Sequence, residues 1–188
     1  VVGAHYDTTG PSEGADDNSS GVAVMLEVAQ AIFDQDTPYT VKFVAFGSEE
    51  NDLDGSYAYV DAMSESEIED TVLMVNLDSV VAGDYTYVYG EPGKRSARAW
   101  IVDRAQELGF DLETKLAEDL DDEDGTPCEC ADYSAFQEVG IPFIYFEATN
   151  WEVGDQDGWT QVDPRYGRHG QIWHTQYDNL KYLDETFP

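Results

Sequence analysis

The chain has 188 residues, 40 acidic against nine basic, for a formal charge of −31, while 41% are hydrophobic and 13% aromatic. That length suits one sizeable domain, and the apolar content excludes an intrinsically disordered acidic chain. The few scattered Lys and Arg argue against nucleic acid and anionic membranes as partners, since both need clustered positive charge, and no apolar run approaches a membrane span.

In chain order, strand and helix patterns alternate. VVGA (1–4) reads as the end of a strand. After an Asn18/Ser19 cap, Val22, Met25, Val28, Ala29 and Ile32 form a helical stripe. YTVKFVAF (39–46) is a predicted strand, DLDGSYAYVDAM (52–63) a helix and TVLMVNLD (71–78) a buried strand. DYTYVYG (84–90) alternates as a strand, and Ala97, Ile101, Ala105 and Leu108 mark another helix. DYSAFQEVG (132–140) is a short helix ended by Gly140, PFIYFEA (142–148) a buried strand, and the segment before Pro188 a helix. The βαβα order predicts an α/β fold with a mostly parallel sheet covered by helices.

Two long loops interrupt the pattern, 118–130 and 150–170, and loops of that length are usually functional or mobile. The first is nearly all acid and reads as a solvated surface. It holds the two cysteines, Cys128 and Cys130, for which a local disulfide and free thiols both fit. An acid-rich, lysine-poor surface stays hydrated in concentrated salt, where screening relieves its self-repulsion, so a salt-rich environment is expected. The chain opens inside a strand and closes after a helix, and so reads as one domain, 1–188, of a longer precursor.

Three predicted strands finish in the same chemistry: the first in His5 and Asp7, the next in Glu49 and Glu50, the third in Asp78. In a parallel sheet the carboxyl ends share one edge, where α/β proteins bind ligands. Asp17, just before a helix, can fold back over that edge, and His174 in IWHTQYDN supplies a second imidazole. Crowded carboxylates repel, and burial worsens this, so such a cluster needs a cation. Nitrogen and carboxylate ligands without thiolate suit zinc, with manganese or cobalt as alternatives. His5, Asp17, Glu50, Asp78 and His174 are enough for two ions sharing one carboxylate. Taken singly, His-X-Asp and Glu-Glu are commonplace; their position at the ends of apolar strands makes them informative.

GAHYDT, GADDNSSG, FGSEE, MVNLDS and WHTQYDN, in that order, resemble the co-catalytic di-zinc aminopeptidase family of the bacterial leucyl aminopeptidase and aminopeptidase Y type. The stretch from GTPCECADYSAF to EATNW, with DGWTQ, is similar more narrowly to the alkaline phosphatase isozyme conversion aminopeptidases. The resemblance implies a zinc-dependent exopeptidase (phosphorylase/hydrolase-like) fold, lacking here its N-terminal elements, and an extracellular or cell-surface setting. It further implies that His5 and Asp78 hold one zinc, that Glu50 and His174 hold the other, and that Asp17 bridges them through a cis peptide to Asn18. Asp7 would orient His5, and Glu49 would be the general base. Trp173 stands where some relatives place an oxyanion-stabilising tyrosine. Ala131, Asp132 and Tyr133 replace a common Ser-Asp-His, with Tyr133 read as a packed side chain rather than an oxyanion donor.

The expected reaction is hydrolysis of a peptide's N-terminal residue, with water ionised between two zinc ions, its proton taken by Glu49 and passed to the leaving amine. Surplus carboxylates would hold the substrate's free α-ammonium, and Glu147, Asp155 or Asp157 would favour Arg or Lys in the first side-chain pocket. His169 reads as a surface-loop residue. The rivals are a single-zinc glutaminyl cyclase-type acyltransferase, a receptor-like domain without metals, and a carboxypeptidase, for which only Arg165 and Arg168 look available.

Overall fold

Side chains alternate across each short strand, and this alternation sorts the core into two layers. The computed structural model describes residues 1–91, 93, 95–114, 131–152 and 171–187. Its sheet has six strands, β1 Val2–His5, β2 Phe43–Phe46, β3 Met74–Leu77, β4 Tyr85–Gly90, β5 Leu112–Glu113 and β6 Phe143–Thr149, in the order β2-β1-β3-β6-β4-β5. Every pairing is parallel except β4 with β6. One face carries Ala4 and Leu77, packed with Met25, Val22 and Phe146 under helix α1 (Ser19–Ile32). The other carries Met74, Phe143, Tyr145, Tyr87 and Tyr89, packed with Phe46, Val60 and Phe136 under α2 (Asp54–Asp61) and α5 (Tyr133–Glu138). Helix α4 (Ala97–Leu108) lies against β4 and β5, and α6 is Leu180–Thr186.

The predicted elements are present, with shorter bounds that have local causes. The strand expected over 39–46 begins only at Phe43, because its single neighbour β1 starts at Val2, paired with Phe43. The helix expected over 52–63 begins at Asp54, because Asp52 and Leu53 both have φ of 60° and break the right-handed turn. The strand expected over 71–78 begins at Met74. Two elements were not read from the sequence. One is α3 (Glu65–Asp70), announced by a capping box in which Ser64 and Glu67 satisfy each other's backbone N–H; the other is the two-residue β5. The stripe on α1 is only partly buried: Met25 is in the core and Val28 is exposed. Cys128, Cys130, Asp155, Asp157, Arg165, Arg168 and His169 lie outside the described residues.

The junction of α1 with β3 fixes where Asp17 sits. Asn18 caps α1 by accepting the Gly21 N–H at 3.0 Å, accepts the Ser79 N–H at 3.3 Å and donates to the Leu77 carbonyl at 2.9 Å. A Cβ on Gly21 would collide with both Asn18 Oδ1 and the Leu77 carbonyl, so glycine is what lets the helix start touch the strand end. Inside a helix, Gly→Ala ordinarily stabilises by about 1 kcal/mol. Here Gly21→Ala is expected to reverse that sign and cost about 1–3 kcal/mol, as overpacking does. Urea unfolding checks this; an unchanged or raised midpoint contradicts the contact.

Candidate metal centre

The carboxyl ends of β1 and β3, the turn after β2, the residue before the α1 cap and the 171–179 turn converge on a cavity of about 250 Å³. Asp17, Glu49, Glu50, Asp78, Tyr145, Glu147, Trp173 and His174 are among its lining residues. His5 is buried behind it. Its Nδ1 lies 3.1 Å from the Asp7 carbonyl oxygen, which can only accept, so Nδ1 carries the proton. Nε2 therefore faces the acids: Asp17 Oδ1 at 3.1 Å, Asp78 Oδ1 at 3.3 Å and Glu49 Oε2 at 3.8 Å. On the other side, His174 Nε2 stands 2.7 Å from Glu50 Oε2 and 3.1 Å from Asp17 Oδ2. Asp17 thus offers one oxygen to each imidazole, and its peptide bond to Asn18 is cis.

The residues read from the sequence as ligands, orienting acid and base, His5, Asp7, Asp17, Glu49, Glu50, Asp78 and His174, are brought together here. Asp7 touches His5 chiefly through its carbonyl. Its carboxylate, with Oδ1 3.6 Å from Nδ1, mainly accepts the backbone N–H groups of Glu49 (3.1 Å) and Glu50 (3.3 Å). It therefore orients three members of the cluster, two of which the sequence reading did not assign to it. Tyr133 is in the core, stacked on Phe143 with ring centroids 4.3 Å apart, and is not among the described residues lining the cavity.

Charge explains why this set holds together. Burial alone would push His5 down, but Asp78, Asp17 and Glu49 outweigh it and raise it far above the usual imidazole range. The carboxylates of Asp17 and Glu50 lift His174 to about 10. Burial opposes ionisation of Asp17, yet His174 and His5 hold it down at about 2. Burial, then repulsion from Asp78, pushes Glu49 up to about 9, and burial pushes Asp132, beside the same cluster, up to about 7.

Two groups, His5–Glu49–Asp78 and Asp17–Glu50–His174, each hold their ligand atoms within 4.8 Å of one another, the spacing a metal ion requires. The residues fit a divalent cation better than protons. Three carboxylate oxygens face the single Nε2 of His5, more than one N–H can serve. Glu50 Oε1 is buried with no hydrogen-bond partner.

The sequence profile of peptidase family M28 matches residues 1–187. The chain belongs to that family. It is 31% identical over 210 residues to the alkaline phosphatase isozyme conversion protein of Escherichia coli K12, matching 100% of this chain and 60% of that protein. Among solved structures it superimposes on BSAP, a zinc aminopeptidase from Bacillus subtilis, with a TM-score of 0.71 and 29% identity, covering 98% of this chain and 42% of that one. A glutaminyl cyclase from Porphyromonas gingivalis shares the fold at a TM-score of 0.59 and 22% identity. The chain thus spans 60% and 42% of the length of the first two.

Sequence reasoning passed over what Asp178 and Asp16 do. Asp16 accepts the N–H groups of Val81 (3.0 Å) and Ala82 (3.1 Å), tying the loop before α1 to the turn after β3. Burial lifts its carboxyl to about 7. Its adjacency to Asp17 was the available signal.

These shifts fix a pH dependence. Asp16, Asp132, Glu49 and His174 all bind a proton more tightly when folded. Their contribution to stability is therefore complete below the unfolded values of about 4 for carboxyls and about 6.5 for His. It is lost as pH climbs through about 7 and then about 9 to 10. With chelator present, and in molar salt to screen the surface, the thermal midpoint is expected to fall steadily from pH 5 to pH 9. A flat or rising profile contradicts the proton accounting.

Proposed function

We propose that this protein is a zinc-dependent aminopeptidase working with two ions, His5 and Asp78 holding one, Glu50 and His174 the other, and Asp17 shared between them. The observation carrying this reading is the placement of Asp17, whose two oxygens each stand 3.1 Å from a different histidine. The zinc aminopeptidase among its structural relatives supports the choice of metal. Bound divalent cations supply Lewis acidity toward the scissile carbonyl and ease the ionisation of water.

The chain's own residues do the rest. Glu49 faces the cavity, where its carboxylate can take a proton from the attacking water and deliver it to the leaving amine. Asp7 holds the two backbone amides that aim Glu49 and Glu50. The carboxylates lining the cavity match a substrate's α-ammonium rather than an α-carboxylate. This favours aminopeptidase over carboxypeptidase. His5 and Glu50, alongside Asp17, Asp78 and His174, make two groups of candidate ligands and favour hydrolysis with two ions over a single-zinc acyltransferase.

We also propose a preference for Arg or Lys at the N-terminus. Glu147 on β6 lines the same cavity, its Oε2 is buried without a hydrogen-bond partner, and burial raises its carboxyl strongly. A cationic side chain would relieve that cost. The −31 charge supports a salt-rich working environment.

On a panel of aminoacyl anilides in high salt, activity is expected on free N-termini only and is abolished by chelator. Glu49→Gln should lower kcat by about 10²–10⁴-fold, the usual weight of a general base. Chelator-insensitive cleavage, or cleavage of blocked N-termini, would overturn the assignment. Glu147→Gln is expected to lower kcat/KM on Arg and Lys anilides at least tenfold more than on Leu anilide; equal losses would remove the specificity proposal.

A further inference from the structure

Asp178 joins two distant segments of the chain and is not among the described residues lining the cavity. It is fully buried, four residues beyond His174 in the same turn. Oδ1 accepts the Asp16 N–H at 2.6 Å; Oδ2 accepts the Asp17 N–H at 3.2 Å and the Ser12 hydroxyl at 3.0 Å. Its own carbonyl accepts the Glu13 N–H at 3.2 Å. Four hydrogen bonds therefore run from one residue of the His174 turn to the segment ending in Asp17.

The turn itself is closed by short local bonds, Thr175 N–H and hydroxyl to the Ile172 carbonyl at 3.2 and 2.6 Å, and Asp178 N–H to the Thr175 carbonyl at 3.2 Å. His174 within it has a φ of 58°, a left-handed conformation that a non-glycine residue keeps only where its surroundings fix it. Placing Asp178 thus places His174.

We infer that Asp178 is a positioning residue that clamps the His174 turn to the Asp17 segment and so sets the distance between two groups facing one cation. The inference rests on the two-ion reading above but concerns a residue that touches neither ion nor substrate. Both carboxylate oxygens are committed to N–H donors. Asp178→Asn would therefore turn an amide N–H toward one of them, which separates the segments without removing bulk.

The test is cation affinity, read by Co²⁺ absorption and chelator competition on the full chain after metal removal. Asp178→Asn is expected to weaken the cation held by Asp17, Glu50 and His174 by about 10–100-fold, the usual effect of losing an outer-shell partner, and to weaken the other less. The control is Ser64→Ala. Ser64 caps α3 by accepting the Glu67 N–H, and Glu67 pairs with Lys42 just before β2, at the amino edge of the sheet, away from the ligands. It should cost stability and leave both affinities unchanged. Equal affinities in Asp178→Asn and wild type overturn the inference. If Asp178→Asn does not fold, Ser12→Ala, which removes the hydroxyl's bond to Asp178 together with its acceptance of the Gly14 N–H, should weaken the same cation about threefold, and no change overturns it. Failure of wild type to bind Co²⁺ would instead defeat the two-ion reading.

Discussion

Repulsion among buried carboxylates is the constraint on which this molecule turns. Asp17, Glu49, Glu50 and Asp78 stand around two imidazoles at one end of a hydrophobic sheet. Two like unit charges about 4 Å apart repel by about 4 kcal/mol at an effective dielectric of about 20, a large fraction of a domain's net stability of about 5–15 kcal/mol. The histidines answer part of this by holding protons far more tightly than usual. Protons are a poor answer, because each serves one or two oxygens along fixed directions. A divalent cation attracts every oxygen around it, and the cluster is shaped for that.

The fold supplies the crowding as a by-product of its topology. Parallel pairing of β1 with β2 and β3, and of β3 with β6, puts the carboxyl ends of these strands along one edge. Strand alternation sets His5, Asp78 and Glu147 toward the α2/α5 face. Asn18 and Gly21 then bring the start of α1 against the end of β3, carrying Asp17 to Asp78. Asp7, Asp16 and Asp178 finish the construction by accepting backbone N–H groups from neighbouring segments. In each case an acid outside the two ligand groups uses its oxygens to hold backbone amides and so to fix geometry.

Much of this was legible in the sequence because its signals are local. Apolar runs ending in His-X-Asp, Gly-Ser-Glu-Glu or Asn-Leu-Asp mark both the strand and the residue its end presents, and the ordered motifs gave the family. The strand order, and the antiparallel entry of β4 beside β6, depend on long-range pairing that periodicity does not encode. The bounds failed where a neighbour decided them: β2 lacks a partner before Phe43, and left-handed Asp52 and Leu53 delay α2. Asp178 was visible in WHTQYDN, yet nothing local distinguishes an acid that binds amides 161 and 162 residues away from one that faces water. In a chain with forty acids, composition hides such residues.

Anomalous diffraction at the zinc edge, on crystals of the protein loaded with Zn²⁺, is the most direct measure of the central claim. The account predicts two peaks, one beside His5 and Asp78 and one beside Glu50 and His174, with the Asp17 carboxylate between them. A single peak, or none at these residues, would contradict it.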